Sequence, residues 1–248
     1  MSNRVFIKES LHELARSFAF AGQGALEGLV NDIPRYNGAP GQVYPIIIQD
    51  ADPDTGIMAP VFTIAVWGLV PASMKPNDRR LPLINVRCEN IATHGLSGPA
   101  YRSRRCLIPV SGFFEWKYNI SANRRDKQPY AIGMRSDVPF ALAGIWESWR
   151  HPVGIDIRSF AVVTCASNEM MATISGRMPV ILRQANYDCW LASNPDPADL
   201  MKPYATELMT MWPIGIGVNS PKNTGPDIIE PQFSIESPSL TEGLDPRL

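Results

Sequence analysis

Histidine and cysteine are both scarce in this chain. Its 248 residues hold three histidines (His12, His94, His151) and four cysteines (Cys88, Cys106, Cys165, Cys189), none of them in Cys-x-x-Cys spacing. That excludes the usual zinc spacings and a disulfide framework, and leaves reduced thiols as the expectation. No Walker loop, dinucleotide fingerprint or His-rich tract is present, so neither a cofactor nor a metal is expected. No apolar run approaches the ~20 residues a membrane helix needs. The first thirty residues lack an uninterrupted apolar segment and carry Glu9, Glu13 and Glu27, so no secretory signal is expected and the cytoplasm is the expected location. A large net charge is also missing: the balance is −1, which argues against a uniformly basic nucleic-acid binder.

What is plentiful is punctuation. Twenty-three prolines and 18 glycines point to many turns and short strands rather than long helices. With 45% hydrophobic and 19% charged residues the composition is that of an ordinary globular protein long enough to bury a sizeable core. Charge is uneven along the chain. Residues 71–130 hold eleven lysines and arginines against four acids. Such a stretch is either a solvated face or a groove that follows phosphates, and charge alone does not separate the two.

Apolar patterning predicts a strand at Val5-Phe6-Ile7 and then a helix opened by Ser10 and Glu13 in capping-box spacing, with Leu11, Leu14, Ala15 and Phe18 as its stripe. β-prone runs follow: VYPIII, MAPVFTIAVWGL (ending near Trp67-Gly68), LPLINVRCE, CLIPVSGFFEWKY, QPYAIGMR, FALAGIWESW, SFAVVTCAS and, late, LMTMWPI. RQANYDCWLAS and PADLMKPYA read as short helices. Many strands with few helical patterns imply a curved mixed or antiparallel sheet system, not a doubly wound one. One domain is expected over residues 1–231, with 232–248, rich in Pro, Ser and acids, as a loosely held tail.

Several polar clusters lie in or beside these strands. On a continuous strand Asn85, Arg87 and Glu89 share one face and Ile84, Val86 and Cys88 the other. That face is either a hydrogen-bond ladder or the lining of a cleft. Glu115 sits among Phe113, Phe114 and Trp116. It is either a strand glutamate facing water or a carboxyl whose apolar setting suits acid/base work.

The order of the clusters says more than any one of them. An early Arg4, then YNGAP (36–40), Trp67-Gly68, INVRCE (84–89), RRCLIP (104–109), GFFEW (112–116), AGIWE (143–147), RMPVIL (177–182) and VNSPKN (218–223) together resemble the SOS response-associated peptidase (SRAP) family of abasic-site processing proteins, from residue 4 to about 230. The resemblance implies an α+β, single-domain fold with a curved, barrel-like core of mostly antiparallel strands and flanking short helices. It implies a role in the DNA-damage (SOS) response, on single-stranded or junction DNA carrying an abasic site, with nucleoid association while DNA is held. In that family the start Met is removed, and the α-amine and thiol of a first Cys capture the ring-opened sugar as a thiazolidine cross-link. An Asn, a Glu and a His assist. By resemblance, Asn85 and Glu115 stand at the first two of those positions; Arg4, Arg87 and Arg177 stand where the family has phosphate-contacting arginines. By the same resemblance, Asn37, Pro40 and Trp67 belong to loops that border the lesion and block or stack bases.

The chain departs from the family pattern at two chemical positions. Ser2 stands where the family has its Cys, and Ser175 where it has its His. An exposed α-amine has a pKa of about 7.7–8.0 and can attack an aldehyde, but a hydroxyl is a far weaker nucleophile than a thiol. The expectation is therefore abasic-site recognition with lasting cross-linking lost. Three alternatives stand beside it: an enzyme using the Ser2 amine for an imine, a weak cross-link or strand cleavage; a peptidase with Ser2 as N-terminal nucleophile; and an interaction protein that keeps the fold alone.

Overall fold

The computed structural model describes residues 3–51, 55–75, 78, 81–121 and 124–232; over 119–121 and 124–126 it describes backbone only. Among these residues run thirteen strands: β1 (Val5–Ile7), β2 (Arg35–Gly38), β3 (Val43–Ala51), β4 (Met58–Trp67), β5 (Asn85–Arg87), β6 (Arg105–Val110), β7 (Gly112–Ser121), β8 (Arg124–Met134), β9 (Phe140–Arg150), β10 (Asp156–Ala166), β11 (Arg177–Pro179), β12 (Ile181–Leu182) and β13 (Met209–Pro213). Four short α-helices accompany them: α1 (Leu11–Ser17), α2 (Gly98–Ser103), α3 (Glu169–Ala172) and α4 (Tyr187–Leu191).

Five strands close on themselves. β3 pairs with β4 over its whole length, β4 with β10, β10 with β9, β9 with β6, and β6 with β3. All these pairings are antiparallel except β4–β10. A closed ring has no edge to protect. Its wall is covered from outside as well as filled from inside, so the usual alternation disappears: Ile46, Ile47 and Ile48 are all fully buried, and so is every residue of β6. Arg105 is among them. Its guanidinium donates to the carbonyls of Trp190 (2.6 Å), Tyr101 (2.7 Å) and Ala192, tying α4 and α2 to the barrel. Burying a cation this way is tolerable only because its N–H groups find acceptors.

A second sheet, in the order β13-β8-β7-β1-β2, leans on the barrel. Phe6, Phe114 and Ala131 on its outer face pack with Ile214, Val218 and Ile228 into a second cluster. Gly112 is required where β1 crosses β7, because a Cβ there would sit 2.2 Å from the Phe6 ring and 2.4 Å from the Ile132 carbonyl oxygen. α1 carries the expected capping box between Ser10 and Glu13.

Three expectations are corrected. CLIPVSGFFEWKY is not one strand: the chain breaks at Ser111, and β6 goes to the barrel while β7 goes to the second sheet. LPLINVRCE contributes only Asn85–Arg87 as strand; Cys88–Asn90 winds into a 3-10 turn, so Glu89 leaves the face it was expected to share with Asn85 and Arg87. PADLMKPYA forms no more than a 3-10 turn at Ala198–Leu200. The tail from 233 onward lies outside the described residues. No helix among the described residues is long and apolar enough to cross a membrane.

Candidate functional site

β1 delivers the start of the chain to the site. Val5 and Phe6 pair antiparallel with Phe113 and Gly112, and the Phe114 N–H donates to the Arg4 carbonyl at 3.0 Å. Continuing that register sets Asn3 across from Glu115. Ser2 lies outside the described residues.

Glu115 is only 6% exposed. Strand alternation puts it on the face of Phe113; Phe114 and Trp116 point the other way, into the second cluster. Of the three aromatic neighbours in sequence, then, only Phe113 shares its face of the strand. Glu115 lines a cleft of about 700 Å³ together with Trp116, Tyr118, Lys127, Ile174, Ser175, Gly176 and Asn219. The Trp116 indole N–H is fixed on Asn219 Oδ1 at 2.7 Å. Lys127 lies over the Tyr118 ring, 4.8 Å from its centroid.

Ser175 enters the same cleft from the loop after α3. The side chain of Asn168 accepts the Met171 N–H and so caps α3; Ser175 N–H then bonds to the Met171 carbonyl at 2.8 Å, and Ser167 Oγ donates to the Ser175 carbonyl at 2.6 Å. The Ser175 hydroxyl donates to the Arg177 carbonyl at 3.0 Å. It is a loop-closing hydroxyl, with no imidazole's capacity to move a proton near neutral pH.

Asn85 meets the chain start directly: its Nδ2 donates to Asn3 Oδ1 at 2.5 Å. Its own Oδ1 is buried, and among the described residues nothing donates to it. A buried acceptor without a donor is costly.

Arg87 and Arg177 approach the end of β10 from opposite edges. β5 runs parallel to it, placing Arg87 beside Thr164; β11 runs antiparallel to it, placing Arg177 beside Ala166. Arg87 is exposed, and its guanidinium makes no hydrogen bond or ion pair among the described residues. Arg177 is fully engaged. Nη1 and Nη2 hold the two carboxylate oxygens of Glu89 at 2.8 and 2.9 Å, and Nη2 also reaches the Thr164 carbonyl at 2.7 Å. The Arg177 hydrogen bonds bring the Glu89 carboxyl down to about 2, and the same pairing raises the Arg177 pKa. Burial and the Glu89 charge together push the neighbouring Cys88 thiol up.

The remaining predicted residues are placed as supports. Arg4 Nη1 donates to Asn37 Oδ1 at 2.6 Å and to the Val218 carbonyl at 3.1 Å, and partial burial lowers its pKa. Asn37 is 1% exposed; its Nδ2 reaches the carbonyls of Val218, Ser220 and Asn223, which explains the VNSPKN block as a loop strapped to β2. Pro40, half-buried, sits in the β2–β3 turn, where Gly41 N–H bonds to the Trp67 carbonyl. Trp67 was expected at a base-stacking border. Its indole is instead 2% exposed, stacked on Phe160 (6.1 Å between centroids, 11° between planes) and met edge-on by Tyr44. Its N–H bonds to the Ile84 carbonyl at 3.0 Å and so fixes the entry to β5 and Asn85.

The basic stretch at 71–130 is not one continuous groove: Arg105 is spent inside the barrel wall and Arg104 pairs with Glu147. Sequence reasoning missed Asn3, Asn219, and Glu89 as the partner of Arg177. Each joins segments far apart in the chain, without a local signal.

A family model described as SOS response associated peptidase (SRAP) matches residues 1–221. Abasic site processing protein YoqW of Bacillus subtilis is 35% identical over 206 residues, 79% of this chain and 86% of that protein. Abasic site processing protein YedK of Escherichia coli is 28% identical over 218 residues, 83% of this chain and 91% of that protein. In three dimensions a Bacteroides thetaiotaomicron protein superposes with a TM-score of 0.80 at 23% identity, covering 94% of this chain and all of that one (100%), a likeness of fold.

Proposed function

The chain belongs to the SOS response associated peptidase family, and from that premise we propose that it recognises abasic sites in single-stranded or junction DNA at the cleft beside β1, without forming the lasting cross-link that the family resemblance implies. The observation that carries the reading is convergence: Asn85 bonds to Asn3, while Glu115 and Ser175, from other elements, line one cleft beside the same chain start. Arg87 supplies an uncommitted cation for a flanking phosphate. Arg4, Asn37 and Trp67 act as the frame that holds β1, the 218–223 loop and β5 in place.

The chemistry follows from what the site keeps and what it has exchanged. An α-amine at the start of β1 attacks an aldehyde carbon to give a carbinolamine, and an acid must then protonate the departing hydroxyl for water to leave as the imine forms. Glu115 is placed for that transfer. A thiolate would then close a stable five-membered ring; a serine hydroxyl is a far weaker nucleophile, and Ser175 Oγ is bonded to the Arg177 carbonyl. The adduct therefore stops at a reversible imine.

The test is binding and trapping on matched oligonucleotides, one abasic and one intact. The reading expects tighter binding to the abasic strand, a borohydride-trapped adduct at most, and no covalent species without borohydride. Equal affinity for both strands would leave only a shared fold.

A further inference from the structure

Beyond the cleft beside Glu115, the turn that follows β5 builds a second hollow. Leu83, Asn85, Val86, Arg87, Asn90 and His94 surround a space of about 200 Å³. Of its polar lining, Arg87, Asn90 and His94 offer donors. Arg87 has its whole guanidinium uncommitted, and the Asn90 side-chain amide makes no hydrogen bond among the described residues. His94 Nδ1 accepts the Leu96 N–H at 3.4 Å, which leaves Nε2 as the ring's donor.

No carboxylate lines this hollow. The nearest in sequence, Glu89, is turned away and held in both oxygens by Arg177. The backbone of the turn is also secured: the N–H groups of Thr93 and His94 bond to the Asn90 carbonyl, and those of Ser97 and Gly98 to the His94 carbonyl. A fixed turn that presents a guanidinium, an amide and an imidazole, with no negative charge among them, is suited to a tetrahedral anion.

We infer that this hollow is a phosphodiester subsite, in which Asn90 and His94 join Arg87 in holding one backbone phosphate of the bound strand. The inference rests on the proposed function. Asn85 links the two places, since it borders the hollow and bonds to Asn3 at the start of β1. The phosphate held here is therefore one close to the lesion. Neither Asn90 nor His94 belongs to the motifs that carry the family resemblance.

The experiment combines Asn90→Ala and His94→Ala with a series of abasic single-stranded oligonucleotides. Each oligonucleotide carries one uncharged methylphosphonate in place of one phosphate. Both residues are exposed, so unchanged thermal melting will show that the variants fold. Each variant should weaken binding of the unmodified abasic strand by about tenfold or more, the effect of removing one hydrogen bond to a charged group. At one methylphosphonate position wild type should bind more weakly, and each variant should lose less than wild type does, because one of its contacts to that phosphate is already gone. If wild type binds abasic DNA and the variants bind as tightly, the subsite is wrong while the proposed function stands. A loss of equal size on every oligonucleotide of the series would likewise overturn it. If wild type shows no preference for abasic DNA, the proposed function fails and takes the subsite with it.

Discussion

Arg87 and Arg177 invite comparison because they reach the same end of β10 from its two edges. In sequence they look alike, each an arginine in a short polar block. In space they are opposites. Arg87 stands exposed without a partner among the described residues, while Arg177 is clamped on both oxygens of Glu89 and on Thr164. A guanidinium already neutralised at 2.8 and 2.9 Å gains far less from a passing phosphate than one facing only water. The difference arises from a local event, the turn at Cys88–Asn90 that carries Glu89 off the strand and toward Arg177. In the proposed function Arg87 is thus the grip, while Arg177 is a brace that joins β11 to the turn after β5.

Charge reversal at the free arginine separates the two roles most strongly. Arg87→Glu should lower affinity for abasic single-stranded DNA by at least about tenfold near ~0.15 M salt. It should also flatten the slope of log affinity against log salt by about 0.7 for each phosphate that is no longer neutralised. Fluorescence anisotropy across a salt series reads both; an unchanged slope would make Arg87 a ladder residue. Releasing the brace should work in the opposite direction. Glu89→Gln uncovers the Arg177 charge, so affinity should rise by about threefold and the salt slope steepen. Arg177→Ala should change affinity by less than about threefold but destabilise the fold by ~1 kcal/mol as its hydrogen bonds disappear, read from the urea midpoint. A DNA defect as large as that of Arg87→Glu, with stability unchanged, would reverse the two roles.

The smallest effect is in acid. The Glu89 pKa is held at about 2, below the ~4.3 of a free glutamate, so the pairing contributes fully above the unfolded value and is lost as pH falls through about 2. A carbon-13 titration of the Glu89 carboxyl should therefore show no step near pH 4. In Arg177→Ala the step should return toward the ordinary value.

Much of the barrel was legible because its rules are local. Apolar runs bounded by Gly and Pro marked most strands, Ser10 and Glu13 marked α1, and MAPVFTIAVWGL ended where it should, at Trp67. The break at Ser111 was not legible, since β6 and β7 are equally β-prone and only the sheets they join tell them apart. The same limit governed the site. Asn85 and Arg87 were on one face as alternation requires, but Glu89 was not, because a 3-10 turn replaces the strand's two-residue period. Trp67 shows a different limit: an aromatic at a strand end reads alike as a stacking surface or as core, and here Phe160 and Tyr44 make it core. Asn37 meets Val218, Ser220 and Asn223 more than 180 residues away, a distance no spacing rule bridges.

On the proposed function, the recognition scaffold remains while two exchanged side chains, Ser2 and Ser175, withhold the lasting bond. The most direct measurement is a denaturing gel of wild type and of the Ser2→Cys/Ser175→His double variant, each incubated with an abasic oligonucleotide in the absence of borohydride. The account predicts no heat-stable complex for wild type and a clear one for the double variant. A heat-stable complex already formed by wild type, or none formed by the double variant with its start Met removed, would contradict it.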